Sequence, residues 1–240
     1  MPKRKLFMVA AVSAMLAVGA EGVLAQTVLK LGTVARPGVP LGDAMEDGLV
    51  KTLPDISGGK MTVEPHYRGS ICGEQKCGEQ ANQGLLALWT SSTANFGNFG
   101  TALSIFDLPY LFKDLDSADL ISNGWLGDAQ CKVAAETTQH ICFEIFASGG
   151  FRHLGNARRP LHKPEDMNGI KMRVTKSPIE YTLIQTWGGI PIPYDWTQLY
   201  QGLQTGVVEG QYVQVPWQYV YKMQEVQKFN EQLTTSLSQD

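Results

Sequence analysis

The sequence lacks the features that mark nucleic-acid-binding proteins and several common enzyme classes. With a formal net charge of −3 and a pI of about 5.8, it has no basic stripe to neutralise phosphates, so nucleic acid is not expected as a partner. No Gly-x-Ser-x-Gly, His-Glu-x-x-His or phosphate-binding glycine loop occurs. The histidines are scattered without zinc-ligand spacing: His66, His140, His153 and His162. We therefore expect no catalytic residue, no metal ion and no cofactor.

Long apolar runs are absent after the amino terminus, which predicts an exported chain without a membrane anchor. Residues 3–5 are basic, an apolar run extends from Leu6 to Ala20, and residues 23–25 form a small-x-small cleavage site before Gln26. The apolar run is shorter than the roughly 20 residues that a membrane span requires. We expect residues 1–25 to be a cleaved signal peptide and the mature protein to lie in the periplasm.

All four cysteines lie in the expected mature part, where an oxidising compartment favours disulfides. Four cysteines allow three pairings. Proximity in the sequence favours Cys72 with Cys77 and Cys131 with Cys142. A redox couple or a metal site is the alternative, but the spacing is not Cys-x-x-Cys and no histidine lies nearby at a zinc-ligand spacing. We predict structural bridges.

Alternating strand and helix patterns predict an α/β protein with two lobes, each a mixed or parallel sheet flanked by helices. The expected strands are Val28–Val34, Lys60–His66, Leu85–Thr90, Ile141–Phe146 and Lys171–Val174. The expected helices are about Gly42–Leu53, a segment ending at Gln83, and Ser117–His140 with interruptions at Gly124 and Gly127. We place the lobes at residues 26–150 and 151–240, with glycines near the crossing that can absorb hinge rotation.

A further helix is predicted to begin after Ser177. Ser177 is a good N-cap, Pro178 suits the first helical position, and Glu180 completes a Ser-x-x-Glu capping box. Residues 188–189 are glycines and should end the helix. An apolar stripe, expected to face a sheet, consists of Ile179, Leu183 and Trp187.

Arg173 lies near the end of an otherwise apolar strand and needs a partner for its charge. One interpretation is an ion pair within the chain, for which Glu209 and Asp195 are candidates. The other is a ligand carboxylate, because open α/β sheets place binding sites at the carboxyl ends of strands and the guanidinium suits bidentate binding. The residue pattern by itself leaves the two interpretations about even.

Several segments resemble the substrate-binding proteins of tripartite ATP-independent periplasmic (TRAP) transporters of the DctP type. The matching segments are Ile105–Phe112, Gly150–Arg152, Arg158–Pro160, Lys163–Met167, Gly169–Val174, Ser177-Pro178, Leu199-Tyr200, Leu203–Gln211 and Glu225–Lys228. The resemblance covers almost all of the expected mature chain and implies a periplasmic-binding-protein-like fold with a hinge. It also implies that the chain receives a small organic acid between its lobes and passes it to TRAP permease subunits.

The resemblance also implies roles for individual residues. Arg173 occupies the position of the arginine that forms the main salt bridge to the substrate carboxylate, and Arg152 is a second candidate carboxylate contact. Trp196 is expected over the ligand, and Trp89 and Thr90 lie where the family lines its cleft. Each has a structural alternative: a solvated Arg152, a Trp196 packed between the lobes, and a plain turn after the third strand.

Two departures from the family pattern affect these expectations. Val213 stands where many members have a ligand-binding asparagine, so Gln214 is the candidate replacement, and Gln211 is expected to help shape the site. Family members also continue beyond the position of Asp240, so the chain resembles a receptor that lacks its carboxyl-terminal part.

A receptor for an organic acid, monomeric and working with a permease, is the function that we expect from the sequence. An exported enzyme acting on organic acids is an alternative from another class, although it would need a nucleophile with a base, or a metal cluster. A sensor that reports the ligand to a signalling protein is a third possibility, and the lobe surfaces would decide it.

Overall fold

The computed structural model describes residues 26–145, 147–231 and 237–239, so the expected signal peptide lies outside the described residues. The strands are β1 (Thr27–Gly32), β2 (Met61–His66), β3 (Leu88–Trp89), β4 (Ala147–Asn156), β5 (Lys171–Val174), β6 (Ile190–Pro193), β7 (Gly210–Gln214), β8 (Phe229–Glu231) and β9 (Leu237–Gln239). The α-helices are α1 (Pro40–Ala44), α2 (Leu53–Ile56), α3 (Glu74–Asn82), α4 (Thr93–Phe96), α5 (Leu115–Ser122), α6 (Trp125–Thr137), α7 (Pro178–Thr186), α8 (Leu199–Thr205) and α9 (Val215–Val220). Across these ranges, no helix is long and apolar enough to cross a bilayer.

The first sheet is a parallel sheet in the order β2-β1-β3. Strands β1 and β2 pair along their whole length, and a helical segment connects them, as the sequence predicts. That segment is not one α-helix, because a π-helix at Met45–Val50 follows α1. The predicted third strand is reduced to the two residues of β3, which pair with Leu31 and Gly32. The carboxyl ends of β1 and β3 therefore lie side by side.

The second sheet has the order β6-β5-β7-β4-β8, and β9 also pairs with β4. Strands β6, β5 and β7 are parallel, whereas β4 runs antiparallel to β7 and β8, so this is a mixed sheet. Strand β5 therefore lies between two parallel neighbours, and Arg173 near its end is almost completely buried. The alternating strands and helices with two sheets confirm the predicted α/β, two-lobed fold class.

Helix α7 begins where the sequence predicts, but Glu180 does not close the capping box. The Ser177 Oγ accepts from the Glu180 backbone N–H at 3.5 Å, and Pro178 is the first helical residue. The Glu180 carboxylate instead accepts two hydrogen bonds from Thr175 and pairs with Arg152. The buried face is also rotated from the predicted stripe, since Ile184 is fully buried while Leu183 and Trp187 are only partly so.

The region between α5 and β4 differs from the prediction in two places. Gly124 precedes α6 as expected, but Gly127 lies inside that helix and does not interrupt it. Residues 141–145 form no strand, because the apolar side chains are not buried on one face: Phe143 is 81% exposed, whereas Ile145 is buried. The strand begins only at Ala147, and the expected hinge glycines at 149–150 lie within β4 with positive φ. A hinge at that point stays a prediction, as do the lobe boundaries.

Two disulfides join the cysteines in the predicted pairs, Cys72 with Cys77 and Cys131 with Cys142. The first bridge packs with Leu86 beneath β1 and β3. The second borders the core of α5 and α6, which also contains Phe106 and Phe112. Both bridges therefore lie within or beside buried clusters on the side of the first sheet.

Candidate functional site

A pocket lies between the carboxyl ends of strands from the two sheets. It opens between the segments that follow β1 and β3 on one side and those at the ends of β5 and β7 on the other. Its lining residues are Val34, Glu74, Ser92, Asn95, Arg152, Arg173, Thr175, Trp196, Val213, Gln214 and Trp217. The strand-end location is the one in which α/β sheets place their ligand sites.

Arg173 has a buried guanidinium on the pocket wall and forms no ion pair with a carboxylate of the described chain. Its Nε donates to the Tyr194 carbonyl at 2.9 Å, and the guanidinium lies 5.8 Å from the centre of the Trp196 ring. Burial lowers the pKa of Arg173, whereas the charge of Glu180 raises it. The arrangement fixes the guanidinium through one edge and presents the charge to the pocket.

Glu209 and Asp195, the candidate internal partners of Arg173, are occupied elsewhere. Glu209 lies 3.5 Å from Arg158 and accepts from the Lys171 backbone N–H. Asp195 accepts from the backbone N–H and the hydroxyl of Thr197. Neither forms an ion pair with Arg173, so the structure does not show the internal ion pair that was one interpretation of this arginine.

Arg152 also lines the pocket, but its charge is balanced within the protein. Its Nη1 lies 2.7 Å from the Glu180 carboxylate and donates to the Tyr212 carbonyl at 3.0 Å. The guanidinium is 5.3 Å from the centre of the Tyr212 ring. Both members of the ion pair are almost fully buried. Arg152 is therefore not the solvated surface arginine of the alternative interpretation.

The opposite polar wall comes from the first sheet and carries a negative charge. Glu74 accepts from the Ser92 backbone N–H at 2.6 Å and from the side-chain amide of Asn95. The side-chain oxygen of Asn95 accepts in turn from the Lys176 backbone N–H at 3.4 Å. Glu74 therefore orients Ser92 and Asn95, and Asn95 connects α4 to the segment after β5.

The remaining wall is apolar and aromatic. Val34, Val213 and Trp217 belong to one buried cluster, against which Trp196 packs. The rings of Trp196 and Trp217 meet edge to face with centroids 5.3 Å apart. The indole N–H of Trp217 donates to the Ser148 carbonyl at 2.7 Å, so this ring offers only apolar surface nearby.

The predicted site residues fall into two groups. Arg173, Arg152, Trp196 and Gln214 line the pocket, whereas Trp89, Thr90 and Gln211 do not. Trp89 packs against Phe96, Phe99 and His140; the Thr90 hydroxyl is 2.7 Å from that of Thr33; and Gln211 donates to Gln227. Their predicted ligand contacts stay predictions without support from this pocket.

Seven of the lining residues were not predicted from the sequence as ligand contacts, although the positions of some could have pointed to the site. Glu74 begins α3, Ser92 directly precedes α4, and Val213 marks a departure from the family pattern. Val34, Asn95, Thr175 and Trp217 had no signal of their own, because only the packing of the two sheets brings them to one pocket.

Loops from the two sides of the pocket touch each other. A Cβ added at Gly73 would lie 2.6 Å from an Asp195 carboxylate oxygen, and one at Gly69 would lie 2.5 Å from the Thr197 methyl group. Gly73 has an ordinary extended backbone conformation, so an alanine there would meet no backbone strain but would press against the Asp195 carboxylate. Gly73 therefore permits close approach of the two sides.

The Gly73→Ala variant should bind its ligand about tenfold more weakly, because the added methyl group opposes the approach of residues 195–197 and disfavours the closed arrangement. The matched control is Gly48→Ala, where an added Cβ meets nothing within 4 Å. Titration calorimetry measures the affinity, and thermal melting without ligand checks folding. Equal affinity of Gly73→Ala and wild type would show that this contact is unnecessary for binding.

Among residues 26–145, 147–231 and 237–239, no group of three or more His, Cys, Asp or Glu side chains could hold a metal ion. The acidic residues near the pocket are instead engaged by protein donors, as Glu74 and Glu180 show.

The family model described as "Bacterial extracellular solute-binding protein, family 7" (DctP) matches residues 31–234. The C4-dicarboxylate-binding periplasmic protein DctP of Rhodobacter capsulatus is 28% identical over 222 residues, which are 92% of this chain and 66% of that protein. A solute-binding protein of Chromohalobacter salexigens is 31% identical over 176 residues, 72% of this chain and 51% of that protein. The chain thus spans roughly half to two thirds of these relatives.

A crystal structure shows the same fold. The TRAP periplasmic solute-binding protein from Polaromonas sp. JS666, bound to D-erythronate, has a TM-score of 0.84 and 25% identity, with 89% of this chain and 70% of that chain covered. The family and the periplasmic relatives confirm the predicted localisation in the periplasm. The chain belongs to family 7 of the bacterial extracellular solute-binding proteins, the DctP family.

Proposed function

We propose that the protein is a periplasmic receptor that binds a small carboxylic acid between its two sheets and delivers it to the permease subunits of a TRAP transporter. The protein performs no chemistry on the acid and acts as a monomer. Closure of the two sides around the acid is a population shift, in which the ligand binds the closed arrangement better than the open one. The membrane partner carries out the uptake itself.

Arg173 is the observation that carries this proposal. Its guanidinium is buried, is held by the Tyr194 carbonyl through Nε, and is presented to the pocket without an ion-pair partner from the described chain. A buried charge that lacks a close counterion is costly, and a ligand carboxylate would supply one with matching bidentate geometry. The ligands named for related proteins, C4-dicarboxylates and D-erythronate, carry carboxylates.

The receptor function accounts for the site better than catalysis does. The family comprises solute-binding proteins for transport, and the related crystal structure is of such a receptor. The pocket itself contains no serine, cysteine or lysine paired with a histidine base among its lining residues. We therefore propose binding without turnover.

The Arg173→Ala variant should lose roughly 100-fold or more in affinity for any acid that the wild type binds, because a fully desolvated charge pair is removed. Arg173→Lys should lose affinity too, since an ammonium cannot reproduce the two parallel hydrogen bonds of the guanidinium. Titration calorimetry of the purified protein with butanoate, benzoate, succinate and D-erythronate measures the effect, with chromatography of the recovered acids to detect turnover.

Arg158→Ala is the matched control, because Arg158 is an arginine with a 58% exposed side chain outside the pocket. This variant should bind as the wild type does. Retention of full affinity in Arg173→Ala, or conversion of the acid to a product, would contradict the proposed receptor.

A further inference from the structure

The charge balance of the pocket is suited to one carboxylate. The charged lining residues are Arg173, Arg152 and Glu74. Glu180 already balances Arg152 at 2.7 Å, so among the described residues that line the pocket Arg173 is the cation that stays available to a ligand. Arg36 lies over the Tyr221 ring and does not line the pocket. A second ligand carboxylate would meet Glu74 or the aromatic wall instead of a cation.

The polar lining groups are also largely committed to one another. Thr175 donates through Oγ1 to Glu180 at 2.7 Å, and Gln214 donates to the Ser148 hydroxyl at 3.1 Å. The Asn95 amide donates to Glu74 and accepts from Lys176. The hydroxyl groups of a polyhydroxylated ligand would be buried in the pocket without hydrogen-bond partners, because these side chains already bond to one another. Burial of unsatisfied hydroxyl groups is unfavourable.

Apolar side chains form the wall beside Gln214. Val213 lines the pocket next to Gln214, and its neighbours in the buried cluster include Val34 and Trp217. The Trp196 ring, beneath the Arg173 guanidinium, continues the apolar surface toward the charged end. A ligand with its carboxylate on Arg173 would therefore place the rest of its body against valine and indole side chains, where apolar groups gain by burial.

We propose that this receptor selects monocarboxylates with an apolar aliphatic or aromatic body over dicarboxylates and polyhydroxylated acids. The inference rests on the proposed function and specifies its substrate class. The selection has two sources: one available cation fixes the number of carboxylates, and the wall of Val34, Val213, Trp196 and Trp217 excludes polar substituents.

Three four-carbon acids test this selectivity because they share one carboxylate and differ in the rest of the molecule. Butanoate ends in a methyl group, succinate ends in a second carboxylate, and D-erythronate carries three hydroxyl groups. Benzoate adds an aromatic body. Titration calorimetry of the purified protein should give dissociation constants for butanoate or benzoate at least tenfold lower than those for succinate and D-erythronate.

The Val213→Thr variant tests the wall directly, since threonine keeps the shape of valine and adds one hydroxyl group. It should lower the preference for butanoate over D-erythronate by about tenfold. Val63→Thr is the matched control: Val63 is a buried valine on β2, outside the pocket, and its replacement should leave the preference unchanged. A preference that does not move in Val213→Thr would remove Val213 from the determinants of selectivity.

The outcomes separate this inference from the function on which it rests. If succinate or D-erythronate binds more tightly than the apolar acids and this binding is lost in Arg173→Ala, the receptor stands and the substrate class is wrong. If all four acids fail to bind, or Arg173→Ala retains their affinity, the receptor proposal fails and the substrate class fails with it. Tighter binding of the apolar acids that depends on Arg173 supports both.

Discussion

The Glu180→Ala variant should have a free energy of unfolding about 3–5 kcal/mol lower than that of the wild type, because it removes one partner of a buried ion pair. Arg152 and Glu180 are 6% and 4% exposed, and their charged atoms are 2.7 Å apart. The substitution takes away the carboxylate that balances the guanidinium and also the acceptor for the Thr175 backbone N–H and hydroxyl. Urea unfolding followed by circular dichroism measures the loss.

Two further variants identify the cause of that loss. Asp47→Ala removes an ion pair with Lys51 whose side chains are 60% and 70% exposed, and it should change stability little because solvent screens the pair. Glu180→Gln keeps the size and one acceptor oxygen but removes the charge, so it should fall between wild type and Glu180→Ala. If Glu180→Ala lowered the free energy of unfolding as little as Asp47→Ala does, the buried charge of Arg152 would not need Glu180 as its counterion.

Local sequence rules succeeded where the interactions themselves are local. Ser177-Pro178 starts α7 because the hydroxyl and the ring act within one helical turn, and strand β2 lies where the sequence predicts a strand. The cysteine pairs also form between neighbours in the sequence. These features needed no knowledge of distant parts of the chain.

Local rules failed where a distant residue provided a stronger interaction. The capping box predicts that Glu180 turns back to the N-cap, but Arg152 on β4 offers an ion pair and Thr175 offers two donors. Similarly, the apolar residues at 141–145 suggested a strand, but the strand that pairs with β7 begins only at Ala147. For Glu180, tertiary pairing overrode a pattern that was correct in isolation, whereas residues 141–145 lack a face that is buried along its length.

The site could be predicted only in part, for the same reason. Arg173 was identifiable because a charge in an apolar strand requires a partner, and the family resemblance supplied its role. The commitment of Arg152 to Glu180, and the meeting of Glu74 with the segment after β5 through Asn95, depend on how the two sheets pack. The number of charges available to a ligand could therefore be counted only in the structure.

Asp107 should make the protein more stable in mildly acidic solution than at neutral pH, and Asp107→Asn should remove this contribution. Asp107 is buried beside α7, where it accepts from the Thr93 and Ser177 hydroxyls at 2.8 Å each. Burial, and then the charge of Glu180, raise its pKa from the ordinary 3.8 to about 7, although those hydroxyls and Arg152 act in the opposite direction.

The raised pKa fixes the direction of the pH effect. Between pH 4 and pH 7, roughly, folded Asp107 keeps its proton while the unfolded chain releases it, so the free energy of unfolding falls as pH rises through this window. At about 1.4 kcal/mol per pKa unit, the contribution is about 4 kcal/mol when complete. Asparagine has nearly the same shape as aspartate and carries no charge. Urea unfolding at pH 4.5 and pH 7.5, values set roughly at the edges of that window, measures the free energy of unfolding at each pH. The difference between the two values should be smaller for Asp107→Asn than for the wild type. Equal pH dependence in the two proteins would mean that Asp107 is ionised throughout the window and that its hydrogen bonds with Thr93 and Ser177 outweigh its burial.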